Sequence, residues 1–592
     1  MPPRKSWPMR TKPRSAIRTV QWLPAFIKVE GKDWDRKEGI DNRGEPIHPV
    51  RREYLRYAHP YEDYSQTTDP ESNARQEKAI YEYFGFGYVN QSGLVVVTPA
   101  GREIVSSEHP EELMLRQLLK WQFPSAACNH NSLAFRHMRM HPFKILLEVM
   151  KKFDYVTRYE VDLTFFTCLR DDEILQALEQ ITYFRERCES AGKNQAQLYK
   201  EIFQELHPDI QRPSPKSFGD MGDALFRFFE YTGLFTTSGR AGFTTLRVPA
   251  RAITKVRLLQ DKFTFEFHDD YPDQVAYFEH YGNPYSIRLP WETTESLREL
   301  VSHKVRVLCA RLEELRISGV ELQFDLTPEE AKRKLEACTT LAEIKILDEL
   351  LFEQLVSLNE RDFVYHSSKT AKVRAEILDK FDEILAGDAD EAALWLEVNT
   401  WKSLVALNGE HYVKRNFKVE EDLSPRAFAP GVGNTPDMEL YNEEFVIIPE
   451  VSLQSGVSQW ITEGSAVTDH VYKFIEVKNG NRTSNDTLVV ANDHRPIVGF
   501  FLCHHLNERT GWQFFVLNRD SWRGQPVPIV PLNLKLYRKL IGCYYSLEVP
   551  ATQFERLLYE IHKYAHQVNH FQKWLEGIPK LIECHLRTLC VD

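Results

Sequence analysis

The sequence predicts a multidomain α+β protein, with winged-helix-like modules in its N-terminal half, a helical linker and a C-terminal α/β domain. Three observations lead there. At 592 residues the chain is too long for one hydrophobic core and divides into about three or four domains of ordinary size. Twice in the first half an apolar helix pattern ends at a glycine and gives way to two short strands. Past residue 390, helices alternate with short apolar strands, the pattern of an α/β core. A composition of 42% hydrophobic, 27% charged and 12% aromatic residues is globular, with no long stretch that reads as disordered.

Residues 1–74 read as a basic N-terminal arm. Its first 29 positions hold Arg4, Lys5, Arg10, Lys12, Arg14, Arg18 and Lys28 and no acid, interleaved with Pro and Trp. Such an arm is either a solvated terminus or a tail that tracks phosphates.

Residues 75–325 contain the two helix-and-hairpin repeats. "ARQEKAIYEYFGFGYV" has helical spacing up to Gly85, and "GLVVVTPAGREIV" continues as a strand, a turn and a new helix start. Near 222–249, "DALFRFFEYTGLFTTSGRAGFTTLRV" repeats the scheme, with a stop at Gly233 and a Ser-Gly-Arg-Ala-Gly turn between strands. Modules of this kind commonly set one helix in the DNA major groove and the hairpin beside the backbone. The alternative is a generic small α+β domain. Between the repeats, Arg136, Arg139, Lys144, Lys151 and Lys152 form a basic stretch with few acids, and with Arg240 in the second turn they make the candidate DNA-binding set. A solvated charged face is the competing reading.

Residues 326–390 read as a helical linker. Thr327 as N-cap, Pro328 at the first helical position and Glu330 closing a capping box mark its start, and Leu and Ile recur at helical spacing to Gly387. From 391 to 592 the order is helix ("EAALWLEVNTWKSLVAL"), hairpin, helix ("SAVTDHVYKFIEVK"), then strands at "PIVGFFLC" and "GWQFFVLN".

The formal charge of -11 argues against a histone-like polyanion binder, although local basic patches can override it. No apolar run reaches the roughly 18 residues of a membrane span, and the N-terminus lacks the apolar core of a signal peptide. Nine cysteines with no CxxC pair fit a reducing, cytoplasmic setting. Cys503-His504-His505 and Cys584-His585 lack the spaced partner pair of a zinc site.

The chemistry concentrates in "GNTPDMELYNEEFVIIPEVSL". Asp437 follows a proline, and thirteen positions on Glu450 sits in an apolar run, where an ionised carboxylate is costly unless paired, hydrogen-bonded or bound to a cation. With the turn at Asn442 to Glu444, the hairpin lays the two carboxylates side by side, within reach of one Mg²⁺. Glu397, in WLEVNTW, is placed to add a third carboxylate from beneath the sheet. This is the skeleton of the PD-(D/E)xK nucleases, in which water attacks phosphorus in line.

Seven segments in order, "LLKWQFPS", "RFFEYTGLF", "YGNPYSIRLPWET", "WLEVNTW", "GNTPDMELYNEEFVIIPEVS", "SAVTDH" and "PIVPLNLKLY", resemble the AlwI-like type IIS restriction endonucleases and their strand-nicking relatives, the large subunits of heterodimeric restriction enzymes. The resemblance runs from about residue 75 to near the C-terminus. It implies an N-terminal half that reads a short asymmetric sequence in double-stranded DNA and a C-terminal domain that cuts at a fixed offset. It also implies a bacterial cytoplasmic setting and a cognate DNA methyltransferase. A small nuclease subunit or a transient homodimer would cut the second strand. Carried over by position, the acidic centre falls on Glu397, Asp437 and Glu450, completed by Glu463 and His470, with the Val451 carbonyl as backbone ligand to Mg²⁺. One departure stands out. Ser452 occupies the place of the expected lysine, which makes His470, then Lys473, the candidates for activating water; Gln454 and Gln459 are candidates for binding phosphate or water. Two rival readings are a DNA-binding regulator or repair factor with a nuclease-like domain, and a modification-dependent or junction-cleaving nuclease of the same fold.

Overall fold

The computed structural model describes residues 5–589 except 42–43, 60–69, 108, 129–134, 192–194, 211–214, 239–243, 250–251, 270–271, 318–325, 388, 390–391, 427–434, 484–486 and 522–523. The chain divides into two compact units, Met1–Leu297 and Arg298–Asp592. No helix among the described residues is long and apolar enough to cross a membrane.

In the first unit, helix Pro70–Tyr83 stops at Gly85, whose φ of 71° suits a residue without Cβ. Strand β1 (Gly87–Val89) then pairs antiparallel with β2 (Val95–Val97), Tyr88 opposite Val96. The Thr98 side chain accepts from the Gly101 amide to start helix Pro99–Ser106. A Cβ at Gly101 would lie 1.9 Å from the Phe86 carbonyl oxygen, so only glycine lets this helix lie so close to the hairpin. The second module is larger than the sequence suggests. Strands β4 (Thr236–Ser238) and β5 (Thr245–Arg247) are joined by β3 (Tyr155–Thr157), in the antiparallel order β3-β5-β4. Three residues are too few to show strand alternation, which hides β3 in the sequence. After β3, a capping box of Thr157 and Glu160 opens helix Arg158–Thr164, which packs against helix Pro215–Glu230.

The stretch read as a basic arm is folded into this unit. Trp7 is fully buried, stands edge-on to Trp121 at 5.5 Å and donates its indole N–H to the Phe165 carbonyl at 2.7 Å. Helix Ala16–Lys28 buries Leu23 and Phe26. A solvated terminus is therefore excluded: the Trp that interrupts the basic residues is a core residue.

In the second unit the stretch read as a linker forms helices Pro328–Ala337, Leu341–Tyr365 and Ala371–Ala386. The Thr327–Glu330 capping box forms as expected, and Gly387 at φ 80° ends the third helix. That helix is more than a connector, since Ile377, Phe381 and Ile384 share one hydrophobic core with the sheet beyond.

The sheet comprises β6 (Tyr412–Arg415), β7 (Met438–Tyr441), β8 (Val446–Ser452), β9 (Ile497–Cys503) and β10 (Ile529–Asn533), in the order β10-β9-β8-β7-β6. Strands β6 to β8 are antiparallel, and β8 to β10 are parallel. Every residue of β8 and β9 is buried, as expected of strands covered on both faces. One sequence reading is overturned. "GWQFFVLN" is not a strand but part of helix Glu508–Arg519, which the Asn507 side chain caps at the Arg509 amide. Its aromatic and β-branched run has strand propensity, but Thr510, Phe514 and Leu517 all turn inward at helical spacing.

The β7–β8 turn sets the register of the sheet. Asn442 Oδ1 accepts from the amides of Glu444 and Phe445, both at 2.7 Å, while its Nδ2 donates to Glu555. Glu555 is fully buried, its Oε1 has no partner, and burial pushes its carboxyl up to about 8. An acid whose pKa is raised on folding contributes stability that is complete below its unfolded pKa and is lost as pH rises through the folded one. The window here is 4.5 to about 8, and the loss across it is on the order of 5 kcal/mol. Glu555→Gln should therefore raise the Tm at pH 8.5 and leave it little changed at pH 4.5. Equal Tm differences at both pH values, by calorimetry, would contradict the buried-acid account.

Candidate active site

The hairpin register brings the first two acids together. Leu440 pairs with Ile447 and Tyr441 with Val446, and the same register carried three residues further sets Asp437 opposite Glu450. The link is direct: Asp437 Oδ2 accepts from the Val451 amide at 2.9 Å. Just past β6, the Asn416 amide donates to the Asp437 carbonyl and its Nδ2 to the Pro436 carbonyl, both at 2.9 Å, which fixes the strand at the acid.

Helices supply the remaining candidates. Glu397 lies on helix Ala392–Val405, held by Asn399 on the Ile377 carbonyl (2.9 Å) and Trp401 on the Val413 carbonyl (3.2 Å). Glu463 closes a π-helical turn, Gln459–Glu463, a distortion found often at functional sites. Gln459 fixes that turn. It donates to the carbonyls of Gln454 and His505, each at 2.9 Å, and accepts from the Asn507 amide at 2.6 Å. Fully buried and so engaged, Gln459 is not placed to bind phosphate. Gln454 accepts from the Thr462 hydroxyl at 2.8 Å. His470, on helix Gly464–Lys478, sets Nδ1 2.5 Å from Glu450 Oε1.

The electrostatics show one centre. Burial, then the charges of Asp437 and Glu463, raise Glu397 to about 8. Asp437 stands well above the carboxylate range through burial and the nearby Glu450, and Glu450 does so through burial and Glu463. Glu463 is raised by burial, against a hydrogen bond from Ser452 that favours its charged form. Burial lowers His470. The Ser452–Glu463 bond went unread in the sequence, where Ser452 registers only as an absent lysine. Glu439 is a useful contrast. It is more buried than these acids, yet Lys414 and Asn416 each donate to it at 2.9 Å and Tyr441 donates to it as well, so it is a structural acid.

Several like-charged, largely desolvated groups crowded together are a place where a cation offsets the cost. Among the described residues no three His, Cys, Asp or Glu side chains stand ready as a complete set of metal ligands. A magnesium ion does not require one, because it keeps several waters and takes one or two carboxylates. Hard oxygen donors at Asp437 and Glu450, with Glu397 in electrostatic reach, fit that demand.

The candidate DNA-binding residues are mostly engaged within the first unit. Arg139 pairs with Asp269 at 3.0 Å, Lys144 with Asp171 at 2.9 Å and Lys151 with Glu148 at 3.0 Å. Lys152 donates to the Thr182 hydroxyl at 3.3 Å. Arg136 is exposed, and Arg240 lies outside the described residues.

The order of residues along the chain defines the class as a restriction endonuclease. The model of the AlwI restriction endonuclease family matches residues 83–540. The chain belongs to that family. No curated protein matches it. Among solved structures it is distantly similar to three. The small subunit of the heterodimeric restriction endonuclease R.BspD6I is 18% identical over 34% of this chain and 97% of that one, with a TM-score of 0.28. The BpuJ1 endonuclease binding domain, in complex with pyrene- and phenanthrene-modified DNA, is 11% identical over 45% and 91%, with a TM-score of 0.29. Restriction endonuclease FokI is 12% identical over 82% of each chain, with a TM-score of 0.24.

Proposed function

We propose that this protein is a Mg²⁺-dependent, sequence-specific DNA endonuclease of type IIS character. In this reading, residues 75–325 recognise a short asymmetric site in double-stranded DNA through winged-helix-like modules. Residues 391–592, a PD-(D/E)xK domain, hydrolyse a phosphodiester at a fixed offset outside that site, with residues 326–390 between. The observation that carries the reading is the convergence of Glu397, Asp437, Glu450 and Glu463 with His470 at the β7–β8 hairpin. The strand order β3-β5-β4 behind paired helices supports the winged-helix part.

Asp437 and Glu450, with Glu397 and the Val451 carbonyl, would hold the cation. Bound Mg²⁺ supplies positive charge against the phosphoryl and departing oxygens of an in-line displacement. The chain's own groups handle the proton. His470 spends Nδ1 on Glu450, which leaves Nε2 to take a proton from the attacking water. Burial lowers its pKa, so the imidazole is neutral and able to act as a base near pH 7. Glu463, steadied by Ser452, stabilises the imidazolium that results. A bacterial cytoplasm, a cognate methyltransferase that protects the host's own sites, and a small nuclease subunit or transient second copy for the other strand complete the proposal.

Run-off sequencing of both strands of a digested unmodified plasmid tests the reading. The expected ends lie at one constant distance from one short asymmetric sequence. Ends without a common flanking sequence, or cleavage only of modified DNA, would overturn it.

A further inference from the structure

The first unit holds a cavity of ≈ 510 Å³ between the start of the chain and helices Arg158–Thr164, Gln195–Leu206 and Pro215–Glu230. Three of its lining residues have buried polar atoms with no hydrogen-bond partner: Arg158 Nε, Asp162 Oδ1 and the Tyr199 hydroxyl. The Asp162 side chain is 1% exposed and Tyr199 5%. Native structures leave few such groups unsatisfied, so three in one place call for an occupant. The cavity is built into the helix packing. A Cβ at Gly222 would lie 2.1 Å from Asp162 Oδ1, so glycine there is what admits the buried carboxyl.

The lining also defines the occupant. Asp220 and Asp223 are engaged by Arg14, at 3.1 and 4.0 Å. Burial pushes Asp162 up to about 8, which keeps it neutral near pH 7. Arg158, its Nε 3.8 Å from Asp162 Oδ2, and the lysines Lys200 and Lys216 leave the cavity positive, suited to an anion. Tyr159 and Tyr199 stack at 4.6 Å and 26°, a platform for a planar ring. A neutral carboxyl beside a phenol offers both donors and acceptors to the edge of a base.

We infer that this cavity binds one nucleotide unit, its phosphate on Lys200 and Lys216 and its base between the Tyr159–Tyr199 pair and Asp162. The unit is either a free mononucleotide or an unpaired nucleotide of a DNA strand. Only the second source rests on the proposed function.

Full-length protein should be dialysed against each 5′-deoxynucleoside monophosphate, with deoxyribose 5-phosphate and inorganic phosphate for comparison. In parallel, binding of a labelled single-stranded oligonucleotide should be followed by anisotropy, because a single strand presents unpaired nucleotides at little cost. Lys200→Ala/Lys216→Ala should weaken binding about ten-fold. Tyr199→Phe, which removes only a hydroxyl and keeps the fold, should weaken it several-fold and erase preference among the bases. Loss in the dialysis arm assigns a free nucleotide, and loss in the anisotropy arm alone assigns the strand. Binding unchanged by these variants in both arms, or seen equally with inorganic phosphate, would overturn the inference. A protein that binds mononucleotides here yet cuts no DNA would keep the cavity and sink the endonuclease reading instead.

Discussion

Asp437→Asn and Glu450→Gln should each reduce cleavage in Mg²⁺ by a factor of about 10³ or more, while binding of cognate DNA stays within a few-fold. The first half follows from the crowding at the hairpin. Burial and the charge of Glu450 raise Asp437, and burial and the charge of Glu463 raise Glu450, so each amide removes one of the charges a cation would offset. The second half follows from the division of the chain, since the proposed reading surface lies in the first unit and these acids in the second. The amides are chosen because Asp437 accepts from the Val451 amide; an asparagine keeps an acceptor there, whereas alanine strands a buried donor. Stability supplies a control. Replacing an acid that burial already penalises removes a cost of folding, so the Tm of either variant should not fall below that of the parent. A variant that cuts at the parental rate would show that the centre lies elsewhere.

The hairpin was legible in the sequence because its chemistry is local. A proline-aspartate, a three-residue turn and a glutamate in an apolar strand fix the register, and Asn442 with its two amide bonds is the turn residue such a reading needs. Glu463 and His470 were reachable only through the family resemblance. Their approach depends on a π-helical turn held by Gln459, and no periodicity announces that. The misread "GWQFFVLN" shows a related limit, in which propensity favoured a strand and the Asn507 cap with core packing decided for a helix. Trp7 and the ionised partners of the basic stretch mark the same boundary. Composition revealed charge and bulk, but not the contacts that bury Trp7 and neutralise Arg139, which come from Phe165 and Asp269, each more than a hundred positions away.

The chain acting alone should nick one defined strand of a duplex. Among the described residues there is one hairpin that gathers Asp437, Glu450, Glu463 and His470, and one such centre aligns one phosphate for in-line attack at a time. The two strands run antiparallel, so the second cut needs either another centre related to the first by an approximate two-fold axis or release and reorientation. A palindromic site recruits a second identical chain by its own symmetry, but an asymmetric site cannot. The second centre therefore has to come from a different small subunit or from a second copy that meets the first only transiently. Supercoiled plasmid carrying one site should accumulate as open circles at dilute enzyme, with linear product rising only as enzyme concentration rises or a partner is added. The nicked strand, read by sequencing the ends of the open circles, should be the same in every molecule. Prompt linear product at every dilution, first order in enzyme and with no open-circle intermediate, would refute the single-centre account.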